Sequence, residues 1–321
     1  MRNVFEFLGL PANHRPKNKV VQLVKNFNEV PASKIKYPLL GQVKKDGVFA
    51  LVVVNSLRHV LIFGRTGELY TSTQQLTRAI FDSNLDPGIY IGELLSEAPC
   101  SLEELSGVVN PNRVNALDDA QADIAVGLYI SLYDYLTLPE FIRGESSTGY
   151  FSRYRELAYQ LEDTDMFGHI LPLAPIHDEL AKSKFTKACL AAGEEGAVYK
   201  QPSENWVAGH KGYRQMKEVG EVSYDLLCTR VEEGKGKYKG LVANMYFRWV
   251  GGTEIKAMPG KGHTHESCMA MWLATQGFVF TSECNPIGKI WRVKGLMNSS
   301  KGKIRLPKVE EERYDKITAD Y

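Results

Sequence analysis

Lys44-Lys45-Asp46-Gly47 sets an amine at the end of a strand, just ahead of a tight Asp-Gly turn. An amine so placed acts as a nucleophile once its charge is suppressed. Burial and neighbouring cations both disfavour the ammonium form. Lys45 is one such cation, although alternation turns it to the opposite face of a strand. Lys200 and Lys217 are candidates from further along the chain. The same four letters also spell a polar hairpin turn, so this motif alone leaves both readings open.

An amine of this kind needs a scaffold, and the composition supports one. The 321 residues are 44% hydrophobic and 24% charged, with sixteen Tyr, thirteen Phe and four Trp. That apolar surface excludes disorder as the dominant state. No run approaches eighteen apolar residues, which excludes a membrane-spanning helix. Five scattered cysteines without a C-x-x-C give neither a zinc set nor a disulfide framework; a reduced, cytoplasmic compartment is expected. Charge is unevenly spread. Residues 1–45 carry nine Lys/Arg against two Asp/Glu, residues 46–220 fourteen against twenty-four, and residues 221–321 sixteen against twelve. Lys289, Arg292, Lys294, Lys301, Lys303, Arg305 and Lys308 follow one another with no acid between them. Such a run is either a polyanion-binding face or an ordinary solvated one.

The periodicity predicts an α+β protein in two parts. A helix is expected over 18–30, a β-rich meander over 37–71, helices over 72–83, 151–162 and 176–192, and strands over 88–95, 127–136, 195–200 and 212–219. From residue 222 the pattern turns all-β, with strands in VSYDLLCTRV, LVANMYFRWV, FVFT, KIWRVKGLM and KIRLPKV and a helix over 264–275. The expected domains are 1–219, antiparallel sheets with flanking helices, and 220–321, a five-stranded OB-type barrel.

Five segments follow the first motif in order: Gly64-Arg65-Thr66-Gly67, Gly92-Glu93-Leu94, Tyr133-Asp134-Tyr135-Leu136, Glu195 to Lys200, and Gln215-Met216-Lys217. Their order and spacing resemble the covalent nucleotidyltransferase superfamily. EGKGKYKGLV, IGKIWRVKGLM and RLPKV with Arg313-Tyr314-Asp315-Lys316 resemble the C-terminal segments of small ATP-dependent DNA ligases of bacteriophages and viruses. The resemblance covers about residues 40 to 316. It implies an ATP-dependent DNA ligase that seals 5′-phosphate/3′-hydroxyl nicks in duplex DNA through a lysine–AMP intermediate, acting as a compact monomer without a membrane partner. ATP is the implied AMP donor and Mg²⁺ the implied metal.

The roles follow residue by residue from that resemblance. Lys44 is the implied nucleophile, Asp46 assists metal or nick chemistry, and Lys200 and Lys217 stabilise the charged transition state against the phosphates. Arg65 forks onto phosphate, of nucleotide or DNA. Tyr133 stacks on the base, Glu93 and Glu195 face the sugar and the metal, and Lys289, Arg292, Lys294, Lys301, Lys303 and Arg305 bind the duplex backbone. Gln42 shares the Lys44 face, and its amide carries donors and an acceptor suited to an adenine edge; a polar edge-strand residue is the alternative. Tyr133 without the resemblance reads as core, since Tyr129, Tyr133 and Tyr135 share one face of a regular strand. Two positions depart from the family pattern. Phe49 stands where many DNA ligases have arginine, leaving Arg58 or Arg65 to compensate, and Gln215 replaces a lysine that Arg214 or Lys211 would have to supply. An RNA ligase, an mRNA guanylyltransferase and a non-catalytic OB-fold nucleic-acid-binding protein are the alternative readings.

Overall fold

The computed structural model describes residues 3–11, 13–298 and 302–321. They divide into two compact units, Met1–Val219 and Gly220–Tyr321. The first carries, in chain order, α1 (Val4–Phe7), β1 (Leu23–Asn26), β2 (Leu39–Lys44), β3 (Val48–Val54), β4 (Val60–Phe63), α2 (Gln74–Asp82), β5 (Gly88–Ser96), α3 (Leu102–Val108), α4 (Asp119–Val126), β6 (Leu128–Leu136), α5 (Leu138–Arg143), α6 (Tyr150–Leu161), β7 (Ala174–Ile176), α7 (Glu179–Ala191), β8 (Gly196–Lys200) and β9 (Lys211–Val219).

Two sheets result. One runs β4-β3-β5-β6 and is antiparallel; the other runs β1-β9-β8-β2-β7, antiparallel but for the parallel β1–β9 pair. β3 reads as an unbroken apolar run because both its faces are covered. Ala50, Val52 and Val54 enter a core with Ile80 of α2, Leu105 of α3 and Leu157 of α6, while Leu51 and Val53 pack with Phe5 and Trp206. In the other sheet, Leu39, Ala197, Tyr199 and Met216 bury against Phe27 and Cys189.

The second unit holds β10 (Glu221–Glu233), β11 (Val242–Arg248), β12 (Glu254–Pro259), α8 (His265–Thr275), β13 (Ile290–Asn298) and β14 (Ile304–Glu312). Its strands close into a barrel in the order β10-β11-β12-β14-β13. Leu226, Met245, Phe247, Val293 and Val309 fill the interior. The expected α+β class and five-stranded barrel are what the chain adopts.

Four local expectations are corrected. Residues 18–30 are no helix: β1 and a short 3₁₀ turn at Phe27–Glu29 occupy them. Val20, Val21 and Val24 are β-branched, and pairing with β9 outweighs a helical spacing. Residues 37–71 are not one meander, because β2 lies in one sheet and β3 and β4 in the other. Asp46-Gly47 therefore carries the chain between sheets. A Cβ at Gly47 would sit 2.5 Å from the Leu94 carbonyl oxygen and 2.8 Å from Glu93 Cγ, so only glycine lets this crossing pass. FVFT (278–281) is not the fifth strand. It falls in an exposed 3₁₀ stretch after α8, and β12, one short turn from β11, forms the ladder instead. Finally, Tyr129, Tyr133 and Tyr135 do not share one face. β6 pairs Asp134 with Ile91 but Leu132 with Gly92, which leaves Tyr133 as the extra residue of a bulge. Ile130, Leu132 and Tyr135 all enter the same core, and Tyr133 is released to the other side.

Candidate active site

Four strands of one sheet and three of the other line a common cavity of about 160 Å³. Alternation picks Val198 and Lys200 from β8 and Gln215 and Lys217 from β9, while β2 lends Gln42, Val43 and Lys44 and β1 lends Leu23 and Val24. Phe49 of β3, Ile91 and Glu93 of β5, Arg65 and the bulged Tyr133 line it from the other sheet.

Lys44 ends β2, where Gly196 is its ladder partner. Its Nζ donates to Glu195 Oε2 at 2.6 Å, and both side chains are largely buried. The amine is thus held as one half of an ion pair rather than as a bare nucleophile. Lys45, one residue past β2, pairs with Glu194 and also borders the cavity, so it is not turned to the opposite face as alternation would have it. Glu93 stands close enough to Lys44, Arg65, Glu195 and Asp46 to feel all four charges. Burial, the largest influence, pushes its carboxyl up to about 7 against the pull of Lys44 and Arg65. Burial likewise lowers the Lys217 amine, and the Lys44 charge adds to that. Among the described residues no group of three His, Cys, Asp or Glu side chains is gathered for a metal. Glu93 and Glu195 do offer the hard oxygens that Mg²⁺ takes in ones and twos when phosphate completes its shell.

Deeper in the cavity Lys200 is buried between two aromatic faces, its Nζ 4.3 Å from the Tyr133 ring centre and 4.2 Å from that of Tyr150. It donates to Gln42 Oε1 at 3.1 Å. Burial lowers this amine to about 7. The Tyr150 hydroxyl is 2.9 Å from both Gln42 Oε1 and the Tyr133 carbonyl. Gln42 Nε2 donates to the Leu171 carbonyl at 3.0 Å. The Gln42 amide is therefore fixed in orientation, with one N–H uncommitted by these bonds. Arg153 forks onto both oxygens of Asp134 at 2.9 and 3.0 Å, which pins α6 and its Tyr150 beside β6.

Arg65 lies over the Phe49 ring at 5.4 Å. Phe49 thus carries the guanidinium that lines the cavity. A Cβ at Gly64 would come within 2.9 Å of the Tyr70 ring, so a side chain there would crowd Tyr70. Of the four cations expected as substitutes, Arg65 lines the cavity but Arg58 and Arg214 bond elsewhere. Arg58 bonds Asn84 and Asp86, and Arg214 bonds Asn205 and Glu204. Lys211 is not among the lining residues.

Sequence reasoning missed Tyr150, Trp206 and the Asp134–Arg153 pair. Only the Asp134 half lay in a motif; Tyr150 opens a helix and carries no spacing signal.

On the barrel, the basic run behaves unlike its sequence. Lys289 pairs with Glu312 at 3.0 Å, Arg292 with Glu311 at 2.7 Å and with Asp225, and Lys294 with Glu310 at 3.0 Å. Lys303 donates to the Glu254 carbonyl. Arg305 follows on β14, and Lys301 lies outside the described residues.

No protein-family profile matches the chain. A probable DNA ligase of Mycobacterium marinum is 35% identical over 69 residues, 22% of this chain and 14% of the relative. DNA ligase B of Mycobacterium tuberculosis is 33% identical over 69 residues, again 14% of that protein. The chain thus matches only about a seventh of the length of these curated relatives. Solved structures extend the likeness. Lig E, a DNA ligase that binds DNA with a minimal scaffold, superposes with a TM-score of 0.67 at 14% identity, covering 91% of this chain and 98% of that one. The ATP-dependent DNA ligase of bacteriophage T7, solved with ATP, gives 0.51 at 16% identity over 94% and 100%. The chain shares a stretch of sequence with proteins named DNA ligases and, over nearly all its length, the fold of solved DNA ligases, one of them ATP-dependent.

Proposed function

We propose that this chain is an ATP-dependent DNA ligase that carries AMP on Lys44 and transfers it to the 5′-phosphate of a nick. The observation that carries the reading is the convergence of Lys44, Glu93, Arg65 and Lys217 on one cavity that Tyr133 also lines, with Glu195 paired to Lys44. Tyr133 offers adenine a face worth roughly 1–3 kcal/mol in stacking, and Gln42 and Lys200 offer donors for its edge. Arg65 and Lys217, which line the same cavity, would take the phosphate oxygens. Glu93 and Glu195 would hold Mg²⁺, which when bound supplies neutralising charge at the triphosphate.

Attack requires the Lys44–Glu195 pair to open and the amine to shed its proton; Glu195 Oε2 is an acceptor already in place. The N–P bond forms at the α-phosphorus, the bond to pyrophosphate breaks, and pyrophosphate leaves. A 5′-phosphate oxygen then attacks the adenylate phosphorus, the N–P bond breaks and frees Lys44, and the 3′-hydroxyl in turn displaces AMP. The barrel and its basic segments serve the duplex backbone, a sequence-independent contact.

The test is intact mass after incubation with ATP and Mg²⁺, with and without nicked DNA. Wild type gains one AMP and loses it to nicked duplex, whereas Lys44→Ala gains none. An adduct from GTP instead of ATP, or sealing of nicked RNA but not DNA, would move the chain to another branch of the superfamily.

A further inference from the structure

Strand β14 contains a residue that the barrel has ejected. Ile304, Leu306 and Lys308 would share one face of a regular strand, and Ile304 is buried, so Leu306 should be core. Instead Leu306 is 75% exposed, and Val309, of the opposite parity, is fully buried. The cause is a bulge. β13 pairs Lys294 with Lys308 and Leu296 with Arg305, so Leu306 and Pro307 stand opposite the single residue Gly295. Gly295 is required there: a Cβ would come within 2.3 Å of Ile304 Cγ2 and 2.6 Å of the Arg305 carbonyl oxygen. Leu306 itself takes φ +49°, left-handed backbone that costs a leucine and suits a glycine. A chain that needed only a bend would carry glycine here. A strained, exposed leucine calls for a use of its side chain.

Its neighbours indicate the use. Lys303 and Arg305 precede it, and Lys308 follows, its Nζ near Met258 Sδ at 3.4 Å. An apolar tip among cations matches a minor groove, where negative potential attracts Lys and Arg and an apolar side chain wedges between base steps. We propose that Leu306 enters the minor groove of bound duplex DNA and partly unstacks one base step. This inference rests on the ligase reading and adds a specific contact to it.

Leu306→Ala and Leu306→Gly test it on the full chain, with a nicked duplex carrying 2-aminopurine at successive positions beside the nick. Glycine also relieves the left-handed strain, so its variant folds at least as well as wild type. Wild type should raise 2-aminopurine fluorescence at one step. Both variants should abolish that rise and bind the nicked duplex about tenfold more weakly. Wild-type affinity and fluorescence in both variants would overturn the wedge. So would weaker binding when wild type unstacks no position, since the leucine would then meet something other than a base step. Formation of the Lys44 adduct, read on the same samples, separates the failures. Adduct and sealing with no effect at Leu306 sink the wedge alone, and no adduct with no duplex binding sinks the ligase reading with it.

Discussion

The cavity of the first unit and the basic strand of the barrel are both rich in charge, yet they handle it in opposite ways. In the cavity, Lys44, Lys200, Lys217 and Glu93 come from separate strands onto one lining, Lys200 buried and the others half-buried, where water screens them less. Burial shifts the protonation of Lys200, Lys217 and Glu93, and the Lys44 charge acts on the last two. On the barrel, Lys289, Arg292 and Lys294 are adjacent in sequence without an intervening acid, but β14 brings Glu312, Glu311 and Glu310 alongside. Charge patterning along a chain therefore says little about the field a sheet presents, because the neutralising partner arrives from the next strand. Motif spacing fares better in a pocket, because each strand fixes which of its side chains face inward.

The sharpest way to break this comparison is to remove one partner from each kind of pair. Arg153 and Asp134 are each only 4% exposed, whereas Lys294 and Glu310 are 41% and 38% exposed. Asp134→Ala leaves a guanidinium buried without its carboxylate, and should cost about 3–5 kcal/mol of stability. Glu310→Ala should cost less than about 1 kcal/mol. Urea unfolding midpoints check both. A loss at Asp134 no larger than that at Glu310 would show that the two regions do not differ in how they hold charge.

Much of this was readable in the residues, and the failures have physical causes. Strands β5, β6, β8 and β9 and helices α2, α6, α7 and α8 stand where the periodicity put them, within a few residues. Gln42 and Lys44 line the cavity together, on the one face that period-two alternation assigns them, whereas Glu93, Lys200 and Lys217 were read into the site from the resemblance. Tyr133 was legible only through resemblance, because the bulge that aims it into the cavity breaks the very alternation that assigned it to the core. β1 was misread because an edge strand need show no alternation of its own when its pairing partner lies nearly 190 residues away. Helices α3, α4 and α5 went unread although each opens with a capping box, Ser101 with Glu104, Asp118 with Gln121 and Thr137 with Glu140. Those signals were present and local. The acids facing Lys289 to Lys294 were equally present, but only the β13–β14 register reveals them.

A second effect, about 3 kcal/mol at its fullest, distinguishes the cavity by pH. Glu93 titrates near 7 in the folded chain against about 4.5 unfolded, so the folded form binds the extra proton between those values. Wild type therefore loses stability as pH rises from 4.5 to 7. Glu93→Gln escapes this loss, and its Tm should gain on wild type across that window and run parallel above it. Lys200 has the opposite slope: lowered to about 7 from 10.5, it makes wild type lose stability as pH falls from 10.5 to 7. Lys200→Met should gain on wild type over that range and run parallel below 7. Flat differences in both variants would mean that neither group is desolvated as the geometry requires.

The smallest change in stability should come from the barrel, and there binding is the better readout. Replacing Glu310, Glu311 and Glu312 together by Gln removes three exposed or half-exposed pairs, each worth at most about 1 kcal/mol. It also leaves Lys289, Arg292 and Lys294 without these partners. If those cations lie on the DNA-facing surface, the slope of log K against log salt for nicked duplex should steepen by up to about 2.7, at roughly 0.9 for each phosphate newly neutralised. An unchanged slope would mean that β13 faces away from the duplex. Phosphate binding would then fall to the stretch around Leu306, and the two ends of the basic run would have to be treated as different surfaces.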